Sequence, residues 1–436
     1  MKIINNLKDK FEQAELLTKE AEELKINIAN WDLQNISQEK LTRSSLRVIK
    51  DNRRGANSTL GSSSKVIDKL IAGAAESAVY GEPAEFNFTT QISNNLPPTV
   101  QSDYAQIDQT TIFNFLEKCQ SYIKEQKSDL TLDLNLSKKL EKISIKTTAG
   151  GNLNEEIVNF QIIFGAPVPG GGSFFYRVLE QPQFFSAVPT DLIDDFLEEY
   201  QKTYHISVPT TGKMPVLFSP LTLYFLLVSL QEGVSALNIY RKTSPLIGKI
   251  NQKIFSDKLT ITDLPQMEKS GNRRYFDDEG TLTRQQPIIE QGVLKNYIYD
   301  LEYAARLEGE PTGNGLKKTL FGGDINTPVS PNFVNAVIEP GDKSKDELLS
   351  AVDEGILVDS IVGFHSSNYQ QGHFSVQAHG FHLKDGKLQG RLEDVMIAGN
   401  IYEDMLRVRE IGNTVYPTMK GYAPYILVDD ISVTGK

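Results

Sequence analysis

Two apolar periodicities share the first half of this chain, and no all-helical or all-strand fold accommodates both. Leu24, Ile26 and Ile28 alternate with Glu23, Lys25 and Asn27, and Leu130, Leu132, Leu134 and Leu136 repeat the same period of two. That period buries one face of a pleated strand. Between the two runs, Val66, Ile67, Leu70, Ile71, Ala74 and Ala78 recur at helical spacing and form one apolar stripe. Runs of strands interrupted by helices, without a regular one-to-one alternation, point to the α+β class.

Local signals divide the chain further. Leu46 to Ile49 reads as a strand running into a turn at Asp51-Asn52-Arg53-Arg54-Gly55. Ser64 is placed to cap the helix that follows, and Gly81 in Tyr80-Gly81-Glu82-Pro83 to stop it. Residues 82–108 are polar, carry Pro83, Pro97 and Pro98, and read as a long surface connection. A helix is expected over about 110–126, a turn at Ala149-Gly150-Gly151-Asn152, and a loop from Pro167 to Gly172. Another helix opens at Thr190, with Leu192, Ile193, Phe196, Leu197 and Tyr200 on one face.

The second half begins near Val208. Ser219-Pro220 reads as a cap with Pro at the first helical position, opening an apolar helix over 220–237. Beyond residue 275 the pattern is strand and hairpin, with two-residue turns at Gln291-Gly292 and Asp385-Gly386. Asn400 and Glu403 suggest a helix start, Gly412 its stop, and Tyr425 to Val433 a final strand. The expected architecture is two domains: an N-terminal strands-and-helix domain over 1–207, and a sheet-rich, mostly antiparallel domain over 208–436.

Composition narrows the partners. Forty-five basic residues against 56 acidic ones give a net charge of −11, which disfavours nucleic acid, because phosphate neutralisation supplies most of that affinity. Arg53-Arg54 and Lys317-Lys318 are basic pairs, and no longer basic run occurs. Met1 to Lys10 has no apolar core of a signal peptide, and the run Leu221 to Leu230 is shorter than the roughly 20 residues a membrane helix needs. A cytoplasmic protein without membrane contact is the expectation. Cys119 is the one cysteine and sits among Ile112, Phe115, Leu116, Tyr122 and Ile123 at helical spacing, as a buried thiol would.

Sites of chemistry are scarce. His365, His373, His379 and His382 cluster in sequence. On a strand, however, 379 and 382 take opposite faces, and 373 and 379 are separated by about 20 Å. Gly170-Gly171-Gly172 lacks the ending of a phosphate loop, and no nucleophile elbow is present. Asp277-Asp278-Glu279 is the densest acidic cluster, best read as a turn whose Asp side chains cap their own backbone.

An ordered series in the last third carries a resemblance. Phe276-Asp277-Asp278-Glu279-Gly280 precedes the hairpin Pro287 to Leu294, then Tyr299-Asp300-Leu301 and Pro311-Thr312-Gly313-Asn314-Gly315. With Tyr240-Arg241-Lys242 and Ala423-Pro424-Tyr425, this resembles the TldD/PmbA family of cytosolic metallopeptidases, once called modulators of DNA gyrase. The segment Gly363 to Asn368 departs from the family's more glycine-rich pattern.

The resemblance implies two subunit types, of which the TldD type carries a zinc-binding His-Glu-x-x-x-His on a helix. No such sequence occurs here; the corresponding stretch reads Leu227-Val228-Ser229-Leu230-Gln231-Glu232-Gly233. The C-terminal cysteine used by the TldD type is also missing from Asn413 to Gly421. The implied role is therefore that of a PmbA/TldE-type subunit without catalytic or metal-binding residues. It would pair with a TldD-type homologue that carries the zinc, or with itself, and act on unfolded or small peptides or on leader peptides. The residues brought forward for peptide binding or subunit contact are Arg241, Lys242, Asp277, Asp278 and Asn368. The alternatives are a stand-alone homodimer that binds peptides or small molecules, and a hydrolase using another site.

Overall fold

Both alternating runs lie in one antiparallel sheet. The computed structural model describes residues 2–93, 96, 104–170, 173–319 and 322–435. After a short helix α1 (Lys2–Lys8), the strands are β1 (Gln13–Ala29), β2 (Asp32–Lys50), β3 (Arg53–Leu60), β4 (Asp133–Thr147), β5 (Asn152–Pro167) and β6 (Phe174–Gln181). They pair in the order β3-β2-β1-β4-β5-β6. The strands around Leu24 and Leu46 are far longer than the alternation alone marks, because their middle residues are half exposed. At about 3.3 Å per residue β1 runs roughly 55 Å, and it feeds separate clusters. Ala14 packs with Leu46, Val48 and Leu70, and Leu17 with Ile143 and Phe276. At the far end, Ile26 and Ile28 pack with Leu134, Phe160 and Phe164.

Helices α2 (Ser64–Val79), α3 (Gln109–Gln126) and α4 (Thr190–Lys202) follow the sequence stripes. The N-cap of α2 is Ser63 instead of Ser64, without a side-chain bond. Cys119 is buried in α3, and burial pushes its thiol up to about 12. The connection read as polar surface is partly built in: Phe88 is buried and Thr89 donates a hydrogen bond to the Gly280 carbonyl. Pro97, Pro98, Gly171 and Gly172 lie outside the described residues.

The second half starts with β7 (Gly212–Phe218). It pairs with the parallel strand Glu354–Val362 and the antiparallel strand Ile426–Thr434. Strands Val395–Asn400 and His373–Lys384 complete a ring, since the latter pairs back with Glu354–Val362. Both faces of this sheet are covered. Val216, Phe218, Val358 and Val428 face the cluster that holds the apolar helix, whereas Leu217, Leu357, Phe381 and Leu427 join the cluster of Phe160 and Phe196. That second cluster draws on residues on both sides of position 207. The fold is α+β with several sheets, and the turns at Gln291-Gly292 and Asp385-Gly386 are two-residue hairpin turns with positive φ at all four positions.

Two helix expectations fail for stated reasons. The 220–237 helix does not start at Pro220: Ser219 spends its hydroxyl on the Asp359 carbonyl, and Thr222 folds back onto the Ser219 carbonyl at 2.8 Å. Helix α5 begins at Tyr224 and ends at Val234, and Ser235 is extended. Ser235 forms a β-bridge with Ile298, which outcompetes the helix before α6 (Ala236–Tyr240) resumes. Similarly, Asn400 caps only one turn, Ile401–Asp404. Val408–Ile411 then pairs as a strand with Ile426–Val428, so Gly412 ends a strand and no helix.

Candidate functional site

The acidic turn at 277–279 anchors the interface between the two halves. Asp277 behaves as the sequence suggests, its Oδ1 accepting from the amides of Glu279 and Thr281, both at 2.9 Å. Its Oδ2 also accepts from the Gly315 amide at 2.8 Å. The other two carboxylates reach beyond the turn. Asp278 Oδ1 lies 2.8 Å from Lys19 Nζ and 3.2 Å from Arg274, and Oδ2 accepts from the Lys317 amide. Glu279 pairs with Arg47, which also holds Glu15, and Arg274 pairs with Glu155. All three acids are buried.

Their electrostatics differ sharply. Burial pushes the Asp278 carboxyl up, but Lys19 and Arg274 outweigh it and hold the group far below the usual carboxylate range. Asp277 has no such cations; burial and the neighbouring Glu279 raise it well above that range. Asp300, under the same burial and the Glu279 charge, is pushed up to about 8. Its Oδ1 caps the turn at Tyr303.

The glycine-rich motif after Pro311 is wiring for this core. Gly313 has φ +79, and a Cβ there would come within 2.7 Å of the Leu282 carbonyl oxygen. A Cβ on Gly315 would sit 2.3 Å from Glu279 Oε2. Asn314 is buried between Asp263 (2.7 Å) and the Asn332 carbonyl (2.9 Å).

Above this core a cleft opens between β3 and the second half, in two adjoining chambers of about 390 and 380 Å³. Arg54, Glu302, Pro328 and Val329 line both. The first chamber adds Arg47, Glu279, Asp300 and Lys317; the second adds Gln231, Glu232, Arg241, Lys318 and Asn332. Arg54 bridges Glu82 and Glu302, and Arg306 holds the same two acids. The exposed edge of β3 is closed here. The Arg54 amide donates to the Glu82 carbonyl and the Ala56 amide to Ser77 Oγ. A guest chain in the cleft therefore meets side chains before it meets a free strand edge.

Of the sequence candidates, Arg241 lines the second chamber, while Asp277 and Asp278 lie beneath the first as buried supports. Lys242 is exposed in a turn with φ +58, outside the lining. Asn368 lines a different cavity of about 600 Å³, together with His373 and Asp404, that shares no lining residue with the cleft. His382 is buried and bonded to Ser207 at 2.8 Å. The basic pairs Arg53-Arg54 and Lys317-Lys318, unremarkable in sequence, each contribute to the cleft. Lys19, Glu155 and Asp263 carry no local signal at all.

Zinc does not fit the donor set that α5 offers. Gln231 is buried, with Nε2 donating to Asn332 Oδ1 at 2.9 Å and Oε1 accepting from the Phe333 amide at 3.1 Å. Glu232 Oε2 accepts from Asn238 at 2.9 Å. No histidine or cysteine lines the cleft. Among the described residues, no three His, Cys, Asp or Glu side chains are grouped to hold a metal.

Comparison with known proteins places the chain. The family model described as the PmbA/TldA metallopeptidase C-terminal domain matches residues 211–435. The chain belongs to the PmbA/TldD family. An uncharacterized protein of Methanocaldococcus jannaschii is 35% identical over 191 residues, covering 43% of each chain. A metalloprotease PmbA homolog of Buchnera aphidicola is 28% identical over 225 residues, 52% of this chain and 47% of that one. The matches thus span less than half the length of these two relatives. Across the whole fold, TldE from Thermococcus kodakarensis superposes with a TM-score of 0.87 at 22% identity, covering 100% of this chain and 99% of that one. Among the described residues, no helix is long and apolar enough to cross a membrane.

Proposed function

We propose that this chain is a non-catalytic, PmbA/TldE-type subunit that presents peptide from its cleft to a TldD-type homologue, which supplies zinc and hydrolysis. The observation carrying this reading is the state of Gln231. Where a hydrolytic subunit needs metal-binding imidazoles and a carboxylate free to activate water, this helix places an amide whose two ends are both bonded to Asn332 and Phe333. Membership of a metallopeptidase family supplies the context in which such a subunit has a task.

The cleft suits an extended peptide in size and placement, since it lies along the boundary of the two halves and is lined by both. Metal analysis after dialysis, paired with size-exclusion of the chain with a TldD-type homologue, tests the reading. The expected result is no stoichiometric zinc on this chain and co-elution with the homologue. One tightly held zinc per chain would overturn it.

A further inference from the structure

The lysines beside the cleft are the most conspicuous feature the foregoing reading leaves unused. Lys317, Lys318 and Lys420 form no ion pair among the described residues. Lys317 Nζ donates to the Thr327 carbonyl at 3.0 Å and Lys420 Nζ to the Thr319 carbonyl at 3.3 Å. Each ammonium has three donors, so each has capacity left over. Lys318, half-buried in the second chamber, has no hydrogen-bond acceptor among the described residues. Arg241, on the same chamber wall, likewise has no carboxylate partner.

The chamber's own acids form no ion pair with Lys318 or Arg241 among the described residues. Glu302 is taken up by Arg54 and Arg306, whereas Glu232 keeps its charge and accepts a hydrogen bond from the neutral Asn238. Every other cation in the adjoining core is matched: Lys19 by Asp278, Arg47 by Glu15 and Glu279, and Arg274 by Glu155 and Asp278. Burial lowers Lys318 to about 8, with the Arg274 charge adding to the effect; burial and the Lys318 charge do the same to Lys420. Lys318, partly desolvated, and Arg241, exposed to solvent, thus line one cavity without an ion pair among the described residues, an arrangement that an anionic guest would complete.

We propose that the second chamber is a carboxylate-binding subsite, in which Lys318 and Arg241 hold a carboxylate of a bound peptide. This rests on the cleft being the peptide site. A carboxylate suits the pair because Arg offers a planar fork and Lys a point charge. The closed edge of β3 strengthens the case, because side-chain and terminal groups must then supply the register that backbone pairing does not. The acidic surface elsewhere does not prevent this, since charges beyond about 8 Å are screened at physiological salt.

The carboxylate can be a chain terminus or an Asp or Glu side chain, and one binding experiment separates the sources. The full chain is titrated with fluorescent extended peptides in four forms: neutral with free C-terminus, neutral with C-terminal amide, Glu-containing with amide, and neutral with both ends blocked. Inorganic phosphate serves as competitor. Peptides with a carboxylate should bind at least tenfold more tightly than the blocked ones, and Lys318→Met and Arg241→Gln should each abolish that preference. Melting temperatures should match the parent for Arg241→Gln, which removes an exposed charge, and match or exceed it for Lys318→Met, which removes a partly desolvated unpaired charge. Preference for the free terminus identifies the terminal carboxylate; preference for Glu identifies the side chain. Equal binding of all four peptides, a preference surviving both substitutions, or phosphate binding without peptide binding would overturn the subsite. Failure here with intact co-elution with the TldD-type homologue would leave the subunit reading standing, so the two fail separately.

Discussion

The Nζ of Lys19 lies 2.8 Å from Oδ1 of Asp278, which ties the first long strand to the acidic turn in the second half of the chain. The side-chain accessibilities of the two are 15% and 1%, so the contact is shielded from water. Because Arg274 shares the same oxygen and the Lys317 amide bonds the other, Asp278 joins three segments that are remote in sequence.

Asp278→Asn should therefore destabilise strongly. The substitution keeps the shape but leaves the half-buried Lys19 without its counter-charge and takes one of two from the buried Arg274, and breaking one side of a buried pair costs about 3–5 kcal/mol. Chemical denaturation measures it. A loss under about 1 kcal/mol would show that the turn is not the joint between the halves.

Opposite pH windows should separate Asp278 from Asp300. Asp278 is depressed in the folded state, so its contribution is present above the unfolded carboxylate value of about 3.9 and lost as pH falls below it. Asp300 is raised to about 8, so the stability it confers is full below about 3.9 and is lost as pH rises through 8. Asp300→Asn keeps an acceptor for the Tyr303 amide. It should match the parent near pH 4 and gain on it by up to about 1.4 kcal/mol per pH unit towards pH 8. Parallel stability curves for the two proteins would contradict the assignment.

Gln231→Ala should cost about 1–3 kcal/mol by leaving the Phe333 amide and Asn332 Oδ1 unbonded in the interior. Urea denaturation checks the stability, and metal analysis of the same samples should show no change. A shift in metal content would contradict the structural role given to this side chain.

Much of the fold was legible because it rests on local signals. The alternating Leu24–Ile28 and Leu130–Leu136 runs are strands, the Leu70–Ala78 stripe is a helix, and Gln291-Gly292 is a hairpin turn. Two of the helix failures share a cause. Ser235 and Val408 to Ile411 left their helical patterns to pair with Ile298 and the final strand, partners that no local window contains. The site was less legible. Arg241 came forward through its motif, and the acidic turn through its density, but what makes Asp278 matter is Lys19 and Arg274. Lys318 looked like half of an ordinary basic pair until Glu302 was seen to be committed to Arg54 and Arg306.

Peptide hydrolysis by this chain, by a TldD-type homologue and by their mixture tests the central claim most directly. The account predicts cleavage in the mixture and none from this chain alone. It also predicts loss of activity when the glutamate of the homologue's His-Glu-x-x-x-His is replaced, and weaker turnover when Arg241 of this chain is changed to Gln. Full cleavage by this chain alone, with a chelator present and no partner, would contradict it.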